Sequence, residues 1–136
     1  MEALMLVADQ ADLLPHFRAV LQARFPAATI ADLADQTGFV IEFSPQTRAY
    51  VEYFGDNLEQ IGWDEQEIAF ITSLLPTSHH VYSIRYRGVE AGKQVIISLA
   101  DSPKMVVDND CGTLLKGDDF VRKVLAEPEW YWFDDL

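Results

Sequence analysis

Asp108-Asn109-Asp110-Cys111-Gly112 places two carboxylates, an amide and the single thiol of the chain within five positions. Carboxylates two residues apart have the chemistry of a nucleophile with an acid–base partner. With Asp118 and Asp119 they could also surround a hard cation, which prefers oxygen ligands. The spacing does not follow the twelve-residue calcium loop, which needs further oxygens and a closing glutamate. Asp118 and Asp119 have a structural use as cap and first-turn acids of a helix. The plainer reading of residues 109–112 is a turn between two short strands. His79 and His80 are adjacent, so an extended backbone sends them to opposite sides, and His16 lies far away in sequence. One cysteine cannot supply a thiolate cluster, and no third ligand stands at zinc spacing. Phosphate-binding glycine loops and a Gly-x-Ser-x-Gly elbow are absent from the sequence. No metal, no cofactor and no catalytic residue is expected.

Charge is distributed more tellingly. Between Arg48 and Arg85 there is no Lys or Arg, while Glu52, Asp56, Glu59, Asp64, Glu65 and Glu67 fall in that interval, interleaved with Tyr50, Tyr53, Phe54 and Trp63. One reading is a solvated face that keeps the protein in solution. The other is a surface that steers a basic protein by its field and anchors it through desolvated aromatics. The residues expected to carry it are Glu52, Tyr53, Asp56, Glu59, Trp63, Asp64, Glu65 and Glu67. Strand alternation should put Glu52 with Tyr50 and Phe54, away from Val51 and Tyr53.

The elements that must position these groups follow from periodicity. A helix is expected from Asp12 to Phe25, with Asp12 as cap, Pro15 in its first turn and Pro26 as its stop. Thr29–Leu33 reads as a weak strand. Gly38–Phe43 and Ala49–Phe54 read as a hairpin around Ser44-Pro45-Gln46-Thr47. Asp64, Glu65 and Glu67 open a helix reaching Leu75, closed by Pro76. Strands are expected at Val81–Arg87, Gln94–Leu99 and Met105–Val107, the last extending through Thr113–Leu115, with a hairpin turn at Gly88–Gly92. A final helix runs from Asp118 or Asp119 to Ala126. Trp130-Tyr131-Trp132-Phe133 forms an aromatic tail, of which one tryptophan, not both, should pack on the core. The N-terminal apolar run lacks a positive flank and makes a poor signal peptide, and no run approaches the length needed to span a bilayer. Short turns between successive strands favour antiparallel pairing. The expected fold is therefore α+β, a single domain over residues 1–136, a mostly antiparallel sheet with helices on one face.

Composition bounds the function. The 136 residues are 49% hydrophobic and 24% charged, as in ordinary globular domains. Twenty-two acids against ten bases give a net charge of −12, and the pI is about 4.4. Binding to nucleic acid or to anionic membranes, both of which need a Lys/Arg surplus, is not expected. A lone cysteine agrees with a reducing, cytoplasmic setting.

Two resemblances bear on function. Val106–Leu115 resembles the first motif of haloacid-dehalogenase-type phosphotransferases, in which a strand delivers an aspartate nucleophile and an acid–base aspartate beside Mg²⁺. It departs from that motif at Cys111, which separates the second aspartate from glycine. Only 23 residues follow Thr113, whereas the motif opens a doubly wound domain. The stretch Val106–Val124, within residues 104–133, resembles the ends of small immunity proteins from bacterial polymorphic-toxin and contact-dependent inhibition systems. That likeness implies a small, acidic, cytoplasmic binding protein, many of whose relatives neutralise cationic nuclease toxins. The leading expectation is a non-enzymatic, stoichiometric inhibitor that occludes a basic cleft. The alternatives are a small-molecule-binding or enzymatic α+β domain, and a subunit that forms a homodimer through a sheet edge or the aromatic tail.

Overall fold

The apolar run near the N-terminus, for which no element is expected, forms strand β1 (Glu2–Ala8) at the interior of the sheet. It is followed by α1 (Leu14–Arg24), β2 (Thr29–Asp32), β3 (Gly38–Ser44), β4 (Thr47–Gly55), α2 (Leu58–Ile61) and α3 (Glu65–Leu74). The chain continues with β5 (His80–Arg87), α4 (Val89–Leu99), β6 (Met105–Asp108), β7 (Leu114–Lys116) and α5 (Gly117–Ala126). The computed structural model describes residues 2–132; Phe133 of the aromatic tail lies outside them. The strands form one seven-stranded sheet in the order β2-β3-β4-β5-β1-β6-β7, antiparallel at every pairing. The expected antiparallel α+β fold is thus what the sequence adopts.

Alternation along β1, β5 and β6 divides the core in two. Leu4, Leu6, Tyr82, Ile84 and Val107 face Phe17 and Leu21 of α1, Val95 and Ile96 of α4, and Phe120 and Val124 of α5. Val7, Val81 and Val106 face the other way, against Leu58, Trp63, Ile71 and Leu75. Three helices therefore take one face, whereas the helix expected at Glu65–Leu75 lies on the other, so helices cover both faces and not one. The short α2–α3 layer adds a second cover on the opposite face. Among the described residues no helix is long and apolar enough to cross a membrane.

The hairpin β3–β4 forms around Pro45-Gln46, and α3 opens on the Asp64 cap, both as the sequence indicates. Residues 94–99 do not. They belong to α4, and Gly88, with φ of 92°, opens that helix instead of a hairpin turn. Ala91, Val95, Ile96 and Leu99 are the buried stripe, at helical rather than alternating spacing. Packing against the sheet overrides the strand propensity of the Val95-Ile96-Ile97 run. The first helix starts two residues later than expected, at Leu14, with Leu13 at its cap and no side-chain cap bond from Asp12. Both tail tryptophans pack: Trp132 is fully buried, Trp130 lies half-buried beside it, and their rings meet edge to face at 5.5 Å. They share a side without a strand, because a turn closes between Glu127 and Trp130.

Two tyrosines tie loops to this core. Tyr82 donates its hydroxyl to Gln10 O (2.7 Å) and accepts Leu13 N–H (3.1 Å), while Tyr86 accepts the Trp132 indole N–H at 2.7 Å. Burial pushes both phenols above their ordinary value. The folded chain then keeps protons that the unfolded chain loses near pH ~10, so stability is full below that pH and falls as pH rises beyond it. Urea midpoints from pH 7 to 11 should be flat to about pH 9 and then drop. In Tyr86→Phe the alkaline drop should be shallower; an unchanged slope would remove Tyr86 from this account.

Candidate functional site

The residues expected to form one surface are divided by the fold, Tyr53 turning to the face away from Glu52. Glu52 lies on the β4 face with Tyr50 and is held by Arg85 of β5, whose Nε and Nη2 both donate to Glu52 Oε1 (3.1 and 2.5 Å). Arg85 also sits over the Tyr50 ring, 5.0 Å from its centroid. The basic residue that closes the acidic interval in sequence thus neutralises its first acid in space. Tyr53 points to the opposite face, as alternation requires. There it meets the Tyr82 ring and shares a 2.9 Å hydrogen bond with His80 Nδ1. Burial, with the nearby Asp56 carboxylate adding to it, pushes its phenol above the ordinary value.

The remaining acids belong to the α2–α3 layer. Asn57 caps α2 by accepting Gln60 N–H (3.0 Å), which leaves Asp56 and Glu59 exposed at its edge. Asp64 and Glu67 form a capping box: Asp64 Oδ1 accepts Glu67 N–H (2.8 Å), and Glu67 Oε1 accepts Asp64 N–H (3.0 Å). With Glu65 they place three negative charges at the positive end of α3, where each stabilises by about 0.3–1 kcal/mol. Among the described residues none of Asp56, Glu59, Asp64, Glu65 and Glu67 enters an ion pair.

Trp63 is not an exposed anchor. It is 7% exposed, and its indole N–H donates to Asp108 Oδ2 at 2.6 Å. That bond joins the two leads that lie far apart in sequence. Trp63, Glu67, Asp108 and Asp110 border one cleft of about 270 Å³, with Met5 and Ile61 as its apolar wall. Asp108 Oδ1 is held by Asp110 N–H (2.8 Å), and Asp110 sits in the left-handed region at φ 58°. Asn109, buried at the turn, accepts Cys111 N–H and Thr113 N–H (2.8 and 3.0 Å). Residues 109–113 are thus the β6–β7 turn. A second cleft of about 400 Å³, bordered by Asp56, Glu59, Ile68 and His79, lies on the other side of α2. His79 and His80 accordingly face opposite sides.

The Trp63 cleft presents three carboxylates, an indole edge and aliphatic carbon. Its chemistry suits a guanidinium or ammonium on an apolar stem. Asp108 is the residue that composition and spacing do not connect to this surface; the bridge depends on β6 lying beside β1 under α3. Among the described residues no three His, Cys, Asp or Glu side chains are grouped to hold a metal ion. The doubly wound parallel domain that goes with the phosphotransferase motif is not this fold, since every strand pairing is antiparallel. Comparison of the chain with protein families, with curated proteins and with solved structures finds no match in any of the three.

Proposed function

We propose that this protein is a non-enzymatic binding module, a stoichiometric inhibitor of the immunity-protein kind, that acts in the cytoplasm on a basic protein such as a nuclease toxin. The α2–α3 layer is the surface it presents. The observation that carries this reading is the group of carboxylates on that layer that enter no ion pair among the described residues, Asp56, Glu59, Asp64, Glu65 and Glu67, with the Trp63 cleft and its Asp108 and Asp110 beside them. A solvated face needs no such cleft. A cleft that offers carboxylates above an apolar wall can take an arginine or lysine side chain and desolvate its stem. Occlusion follows when these carboxylates occupy the positions that substrate phosphates take on the partner.

Asp56→Asn, Glu59→Gln and Glu65→Gln together test the steering. All three are exposed, so melting should change little: the dipole stabilisation lost with Glu65 is offset by the fall in self-repulsion. Glu52 is left alone because its loss would strand Arg85. Association with the partner captured by the immobilised protein should slow by about tenfold at low salt, with a flatter dependence on ionic strength. Equal rates and equal salt slopes would show that the layer is only a solvated face.

A further inference from the structure

A cleft of about 620 Å³ opens where the end of β5, the start of α4 and residues 128–131 meet, on the sheet face opposite the α2–α3 layer. Tyr86, Trp130 and Tyr131 wall it. Those walls are braced from behind. Tyr86 is held by the Trp132 indole, and α4 approaches its ring so closely at Gly92 that a Cβ there would lie 2.9 Å from the ring carbons. Lys93 is only 4% exposed and donates from Nζ to Pro128 O at 3.1 Å, which ties α4 to the segment forming the far wall.

Charge selects the occupant. Lys93 Nζ stands 3.7 Å from Glu90, so the buried ammonium is matched from within the protein. Glu2 and Glu129 also border the cleft, and Lys93 is the one basic side chain among its described lining residues. With Glu90 matched to Lys93, an incoming anion meets the carboxylates of Glu2 and Glu129. An incoming cation meets their field and aromatic faces, and Trp130 already holds one cation this way, Lys123 Nζ at 4.6 Å from its ring centroid. A compact, strongly hydrated ammonium would lose its water on these walls, whereas one clothed in methyl groups gains by leaving water. We propose that this cleft is a binding site for a small alkylated ammonium cation, seated against Trp130 and Tyr131 over the buried Tyr86 and balanced by Glu2 and Glu129. It does not depend on the protein-binding surface of the opposite face.

The test titrates the full chain with choline, with its neutral carbon isostere 3,3-dimethylbutan-1-ol, and with the anion 3,3-dimethylbutanoate, following indole N–H resonances. Choline should shift the Trp130 resonance saturably and bind at least about fivefold more tightly than the alcohol, with the anion weakest. Glu2→Gln with Glu129→Gln, both at exposed positions, should weaken choline by about fivefold and leave the alcohol unchanged. Tyr131→Ala, at a half-exposed ring, should weaken both ligands, and choline more than the alcohol, because only the cation draws on the ring quadrupole. Equal binding of choline and the alcohol would mean an unselective apolar cleft. Tighter binding of the anion would mean that Lys93 governs. Either result, or no saturable shift with choline, overturns the proposal.

Discussion

Replacing Trp132 by alanine is expected to lower the unfolding free energy by about 3–5 kcal/mol, the range for deleting a large, fully buried aromatic ring. Trp132 has no exposed surface and packs against Tyr86, Phe120 and Trp130 at ring separations of 5.8, 6.0 and 5.5 Å. Its removal leaves a cavity between α5 and the sheet, and it deprives the buried Tyr86 hydroxyl of the indole donor. Trp132→Phe separates the two effects. Most of the area returns while the donor does not, so the remaining loss should be about 1–2 kcal/mol. Urea denaturation of both variants gives the comparison. A loss under about 1 kcal/mol in Trp132→Ala would show that the C-terminal segment peels away without cost to the core, contrary to this packing.

What the sequence makes legible is local. The α3 cap can be read directly because its signal, Asp64 with Glu67 three residues on, is a hydrogen-bonding pattern complete within one turn. The β3–β4 hairpin is legible for the same reason, since its turn and its alternation lie within eighteen residues. Strand β1 and helix α4 are not. Both are buried by non-local partners, β1 between β5 and β6 and α4 across the sheet; β1 is a short apolar run with no period that tells strand from helix, and in α4 the consecutive Val95-Ile96-Ile97 run masks the helical spacing of Ala91, Val95, Ile96 and Leu99. The site divides in the same manner. That residues 49–84 are acidic is a property of composition. That Trp63 turns inward to Asp108 is a property of topology, 45 positions apart in the chain, and only the placement of β6 beside β1 brings the two together. Tyr53 illustrates the remaining difficulty. Alternation assigns it correctly to the face away from Glu52, but only the arrangement of helices says that this face is the interior one.

Trp63→Ala should also cost about 3–5 kcal/mol, but the loss should be concentrated in one layer. Trp63 belongs to the smaller cluster, with Leu58, Ile71 and Leu75 on its own side and Val7, Val81 and Val106 beneath. The larger cluster, which joins α1, α4 and α5 to the sheet, does not include it. The substitution removes the main apolar anchor of residues 58–75 and leaves Asp108 without the indole donor. The layer also carries Asp56, Glu59, Asp64, Glu65 and Glu67, whose mutual repulsion favours its release once the anchor is gone. Amide exchange in α2 and α3 should therefore accelerate by roughly a hundredfold or more, while Leu6 and Ile84 in the sheet remain protected. A uniform acceleration across all elements would show that the two clusters unfold as one unit. The functional consequence separates shape from charge. Every carboxylate is kept in Trp63→Ala, so a partner held by net charge alone would associate as fast as with the parent chain. A partner that needs the cleft would bind more weakly, and at high concentration it would restore protection to α2 and α3, because binding the ordered layer stabilises it by mass action. Unchanged affinity in a variant with a demonstrably opened layer would move the binding surface elsewhere on the protein.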